Sequence, residues 1–135
     1  MTPSLNFTAL GIAALIPLVV GYIWYHPKVF GNAISTQNYG EPSQKKHNPL
    51  VYLATVFLSL LMAMLIGAIL STHDPADQNF SHGAFHGAMT SIFMAIPAFA
   101  IIAMFEFKSM KYILIHAFYW LISMTIMGMI IGGMS

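Results

Sequence analysis

Four long apolar runs constrain this chain more than any other feature. They cover residues 5–25, 50–70, 87–105 and 112–134, and none contains Asp, Glu, Lys or Arg. Each is close to the ~20 residues that cross a ~30 Å hydrocarbon core at ~1.5 Å per residue. A transmembrane barrel would show ~10-residue segments of alternating polarity, and these runs are apolar on every side. An open sheet in lipid would leave its edge N–H and C=O groups unpaired. The expected fold is therefore all-α: an integral membrane four-helix transmembrane bundle, a single domain over 1–135 with the lipid bilayer as its solvent. Residues 26–49, 71–86 and 106–111 form the connections.

Composition agrees. Of 135 residues, 58% are hydrophobic and 7% charged, against roughly 25% charged in a soluble domain. That excludes a soluble globular protein and a disordered tail. The formal net charge of +1 and the lack of any basic stripe exclude a nucleic-acid partner. With no Cys, disulfides, thiolate metal sites and Cys nucleophiles are excluded too. The first run lacks a basic leader and ends on Trp24 and Tyr25 rather than on small residues, so it is expected to be retained.

All five Lys fall in two connections. Lys28, Lys45 and Lys46 lie in 26–49, and Lys108 and Lys111 in 106–111. The connection 71–86 holds Asp74 and Asp77 and no Lys. Cytoplasmic loops collect Lys and Arg, so 26–49 and 106–111 are expected inside. The N-terminus, the C-terminus and 71–86 are then expected outside. The short third connection makes the last two spans an antiparallel hairpin.

Inside the spans, Pro17 and Pro97 each remove a backbone hydrogen bond and are expected to kink their helices. Each is followed eleven residues later by a Lys (Lys28, Lys108). Gly83-x-x-x-Gly87, continued by Ser91 and Ala95, and Gly128-x-x-x-Gly132 are small-residue stripes. They let backbones approach, within the bundle or between protomers. Thr55, Ser59 and Asn6 are expected to bond carbonyls or neighbouring helices. The eleven Met form no clustered motif and read as adaptable packing.

The stretch Gly21-Tyr-Ile-Trp24-Tyr25-His-Pro27-Lys-Val-Phe30-Gly31 closes the first run, and Tyr119-Trp120-Leu121 and Met127-Gly128 punctuate the fourth. This pattern resembles the domain of unknown function 1761 family, short and mostly bacterial membrane proteins with a Trp-Tyr-x-Pro-x-x-Phe-Gly signature. The resemblance covers nearly the whole chain through the spans and lapses in the two long connections. It implies a bacterial membrane protein, hence the inner membrane, and supplies no activity. Family members often carry other residues where His26 and His116 stand, so it assigns those histidines no role.

Two constellations could carry chemistry. In 71–86, His82 and His86 are one helical turn apart if Ser81 caps the third helix, a spacing that can chelate a metal. His73, Asp74 and Asp77 could complete a nitrogen and oxygen set suited to zinc, copper or nickel. The plain alternative is a hydrated, His-rich loop. Toward the inner side, His116 is the one His within the four runs, and ionisable groups at membrane depth are functional candidates. Trp120 shares its helix face. Trp24, Tyr25, His26 and Glu106 end their helices at a similar depth, and together the six could line a pocket. The plain alternative for His116 is a neutral imidazole bonded to a carbonyl or a Tyr.

Catalytic signatures are absent: no paired carboxylates, no G-x-S-x-G, no H-E-x-x-H and no phosphate-binding glycine loop. No carboxylate lies in a span, which disfavours a proton-coupled antiporter with a central Glu. The expected function is a self-associating protein, a homo-oligomer, or an accessory subunit of a larger membrane complex, with no cofactor required. An oligomeric small-solute transporter or channel, and a metal- or haem-binding protein, stand as the alternatives.

Overall fold

The computed structural model describes residues 6–31 and 49–134. Four long helices are found among them: α1 (Phe7–Trp24), α2 (Pro49–Ser71), α3 (Phe80–Phe105) and α4 (Met110–Gly133). All four are long and apolar enough to cross a membrane, and no strand occurs among the described residues. One turn of π-helix (Pro27–Gly31) follows α1, and a short 3-10 turn (Pro75–Asp77) lies between α2 and α3.

Local chemistry sets the helix ends. The Asn6 side chain accepts from the Ala9 N–H, Asn79 from His82 and Ser109 from Tyr112, so three helices start on a capped donor. Asn79, not Ser81, caps α3, because its side chain reaches the His82 N–H at 2.9 Å. The helix consequently starts at Phe80, and the apolar run 87–105 is the inner part of a longer element. His82 and His86 belong to its first turns rather than to a loop. At the other end of α3, Lys108 N–H donates to Ala103 O and Phe107 N–H to Met104 O, a Schellman closure. Phe107 takes the left-handed position usually given to Gly, at φ 61°.

Pro17 lies buried within a continuous α1. Pro97 follows a π-helical turn at Ser91–Ala95, which divides α3 into Phe80–Thr90 and Ile96–Phe105. The wider turn absorbs the amide that Pro97 lacks.

The most extensive contact in the molecule joins the first half of α3 to α4. There the two glycine stripes meet backbone to backbone. A Cβ built on Gly83 would sit 2.0 Å from Gly128 O, and one on Gly87 would sit 2.1 Å from Met124 O. Neither carbonyl can move without breaking its helix. In lipid, where apolar burial gives helices no reason to associate, such close approach supplies the van der Waals contact that does. On its other side α4 joins α1 and α2 around Leu10, Ala13, Ala63, Ile66, Leu70, Met124, Met127 and Ile131. α4 is thus central.

The chain ends orient the bundle. Asn6 Nδ2 donates to Met134 O at 2.7 Å, so the start of α1 meets the end of α4. The 72–79 connection shares this end, with His73, Asp74 and Asp77. Lys28, Lys108 and Lys111 lie at the other, while Lys45 and Lys46 fall outside the described residues. We call these the histidine end and the lysine end. Thr55 Oγ1 donates to Val51 O at 2.8 Å, as expected of a hydroxyl in a membrane helix.

Two outcomes follow. Gly83→Val drives side-chain carbon into a carbonyl, so it should cost about 3 kcal/mol or more and lower the unfolding temperature in detergent. Phe107→Gly relieves a left-handed residue and should raise stability by about 1 kcal/mol, read in the same thermal assay.

Candidate functional site

At the histidine end, the end of α2 and the first turns of α3 bring three imidazoles together. His73 follows α2, its N–H donating to Leu70 O, and its carbonyl accepts from Gln78 Nε2 at 2.9 Å, which folds the connection back. His82 and His86 lie one turn apart on α3, with Nε2 atoms 3.0 Å apart. Ring centroids are separated by 4.6 Å for His82–His86 and by 4.8 Å from His73 to each of them. One ligand atom from each residue lies within 4.8 Å of the others, and all three side chains are half-buried.

Donor states follow from the contacts. His73 Nδ1 lies 3.0 Å from Ile69 O, and a carbonyl only accepts, so Nδ1 carries the proton and Nε2 the lone pair. Between His82 and His86 one Nε2 donates a proton and the other accepts it. Two nitrogens on one tetrahedral zinc stand ~3.3 Å apart, given Zn–N of ~2.0 Å, so this pair is already near ligand spacing. Phe85 packs edge-on against His86 at 5.4 Å between centroids. Asp74 and Asp77 do not join the group. Both are exposed, Asp77 in the 3-10 turn and Asp74 as the residue before it.

At the lysine end, α1 and α4 meet through the residues that close the first run. Trp24 Nε1 donates to Ile115 O at 3.0 Å and its ring lies 4.5 Å from Phe30. The Tyr25 hydroxyl forms a hydrogen bond with His116 Nδ1. The His116 ring is met by Tyr112 at 4.2 Å and Phe99 at 5.4 Å, and Tyr25 stacks on Tyr119 at 5.1 Å. Lys108 Nζ lies 5.2 Å over the Tyr112 ring, a cation–π contact. Tyr119 donates to Pro17 O at 2.6 Å, fixing α4 against α1.

Of the six residues expected to line a pocket here, Trp24, Tyr25 and His116 are brought together. His26 turns back on its own turn, where Nδ1 accepts from the Lys28 N–H at 3.1 Å. Glu106 is exposed at the end of α3, and Trp120 packs against the apolar core and the edge of Tyr119. Three neighbours were not anticipated: Tyr112, Tyr119 and Phe99. The spacing Tyr112, His116, Tyr119 (i, i+4, i+7) is one helix face and could have signalled the first two.

Between the ends, three buried side-chain atoms have no hydrogen-bond partner among the described residues: Ser91 Oγ, Ser123 Oγ and His116 Nε2. Ser91 and Ser123 are fully buried.

No curated protein and no solved structure matches the chain. A family model does, over residues 8–132, which takes in all four helices nearly to their ends. The Trp24-Tyr25 signature that suggested this family is the segment that anchors α1 to α4. The chain belongs to the family described as Protein of unknown function (DUF1761).

Proposed function

We propose that this membrane protein binds a divalent transition-metal ion at its histidine end, through His73, His82 and His86. One observation carries the reading: ligand atoms of three imidazoles, from two helices, lie within 4.8 Å of one another. Imidazole nitrogen suits zinc, copper and nickel. The Ile69 carbonyl holds His73 in the tautomer whose Nε2 can ligate, the outer contact expected of a metal-bound His. The ion would displace the proton shared by His82 and His86. Three protein ligands leave a position for water. Asp74 and Asp77 contribute charge to the same end, not ligand atoms. By the lysine rule this end faces the exterior of a bacterial inner membrane, where it would meet the ion.

The expected self-associating or accessory role rested on the glycine stripes and on the absence of catalytic signatures. Both stripes are consumed by each other within one chain, which favours the metal reading over an interface between copies.

Titration of chelator-treated protein in detergent with zinc should show one ion per chain by calorimetry. His73→Ala, His82→Ala or His86→Ala should each weaken binding by at least about tenfold, and Asp74→Asn should change it little. Unchanged stoichiometric binding in the His82→Ala/His86→Ala double variant overturns the proposal. Acid should oppose the metal, because the ligating nitrogens must be unprotonated. Burial, then the neighbouring His82 and His73, hold the His86 pKa below the ordinary imidazole range, and affinity should fall as the pH is lowered and the ligating nitrogens take up protons. A flat profile from pH 7.5 to 5.5 would mean that the imidazoles are not the ligands.

A further inference from the structure

The three imidazoles at the histidine end are arranged with three-fold regularity. Their ring centroids form a nearly equilateral triangle with sides of 4.6, 4.8 and 4.8 Å. The ring planes cross at 64° for His82–His86, 65° for His73–His82 and 58° for His73–His86. Three flat ligands set around one axis, each plane containing it, stand about 60° apart, and three nitrogens so placed cap one face of a tetrahedron. A square-planar ion instead needs two of three rings opposite each other, which gives one long side and two short ones. The triangle has no long side. It fits the tetrahedral preference of zinc rather than the tetragonal preference of copper(II) or nickel(II).

The protein adds no fourth ligand to that face. Among the described residues the group holds these three histidines alone, and Asp74 and Asp77 stand exposed outside it. The polar side chains of this end are engaged with backbone. Thr72 Oγ1 donates to Ile69 O at 2.7 Å, Gln78 Nε2 to His73 O at 2.9 Å, Asn79 Nδ2 to Ala76 O at 3.4 Å and Thr90 Oγ1 to His86 O at 2.7 Å. Phe85 flanks the pair on α3, its ring 5.4 Å from His86 and 6.3 Å from His82. Three neutral imidazoles leave a zinc ion its full double charge, and that charge holds a water at the open position as hydroxide at neutral pH.

The surroundings limit what such a hydroxide can do. Expelling a poor leaving group needs a general acid, and a tetrahedral oxyanion needs donors aimed at it. The side chains that could serve are spent on carbonyls. An addition that needs hydroxide alone fits the site, and an uncharged reactant suits its apolar Phe85 flank. We propose, building on the metal site above, that the three-histidine face holds zinc with one open position and hydrates small uncharged electrophiles, of which carbon dioxide is the simplest. The hydroxide oxygen attacks carbon and forms the new C–O bond. One C=O π pair moves onto oxygen, giving hydrogencarbonate. Water displaces that anion from zinc and yields a proton to bulk buffer, which restores the hydroxide. The sum is carbon dioxide plus water to hydrogencarbonate plus a proton, with no change in oxidation state.

The test uses the full chain in detergent, treated with chelator, reloaded with zinc and checked for stoichiometry by calorimetry. Each sample is mixed with carbon dioxide in a stopped-flow cell holding a pH indicator. Zinc-loaded protein should hydrate carbon dioxide at least about tenfold faster than free zinc at the same concentration, and metal-free protein should match buffer. One zinc per chain without faster hydration overturns this inference and leaves the metal site standing, whereas no bound zinc overturns both. Cobalt(II) in place of zinc gives a second readout. Its visible bands should be those of a four-coordinate ion and should shift when azide is added, as an open position requires. Bands that azide leaves unmoved overturn the inference. Asp74→Asn/Asp77→Asn should hydrate carbon dioxide as fast as wild type. A lost rate in that variant with zinc still bound would make a carboxylate the base, and hydroxide acting alone would fall.

Discussion

The contact of α3 with α4 through Gly83, Gly87, Gly128 and Gly132 is the constraint on which the rest depends. Two helix backbones touch so closely that a single methyl group would collide with a carbonyl. No lipid-phase hydrophobic effect holds membrane helices together, so contact distance and shape must do it. This one crossing fixes the register of α3. Register in turn decides that His82 and His86 stand beside the end of α2. A shift of one helical turn would move every polar group in α3 by about 5.4 Å and separate the three imidazoles.

The second constraint is the scarcity of polar partners in hydrocarbon. Most polar side chains in the spans discharge their bonds locally: Thr55 to Val51 O, Thr90 to His86 O, Thr125 to Leu121 O. Tyr119 instead reaches across to Pro17 O, and Trp24 to Ile115 O. These two cross-helix bonds, with Asn6 to Met134 O, tie α1 to α4 along its length. Against that background of satisfied groups, the three unpaired atoms stand out because they are few.

How much was legible in the sequence depends on which physics each feature rests on. Span existence and count rest on apolar length, which a sequence states directly, and four helices follow. Lys28, Lys108 and Lys111 at one end follow from connection order alone. The pairing of His82 with His86 was legible because i, i+4 geometry is local. The entry of His73 was open, since it depends on how the connection folds back through Gln78. The capping residue was misplaced from Asn79 to Ser81 because both are good N-caps, and only backbone geometry decides between them. His26 and Glu106 were grouped with His116 by depth. Depth does not fix azimuth, and in an all-apolar helix no polar face reveals which way a side chain turns. Phe99 escaped for the same reason, whereas the spacing of Tyr112 and Tyr119 about His116 was there to be read.

The two ends differ in a way that bears on the metal reading. Three imidazoles at the histidine end are half-buried and bonded to one another and to a carbonyl. At the lysine end, His116 is wrapped by Tyr25, Tyr112 and Phe99, with the Lys108 ammonium above Tyr112. That cation repels a metal ion or any other cation approaching from the lysine end. The asymmetry supports the histidine end, rather than the lysine end, as the proposed metal site.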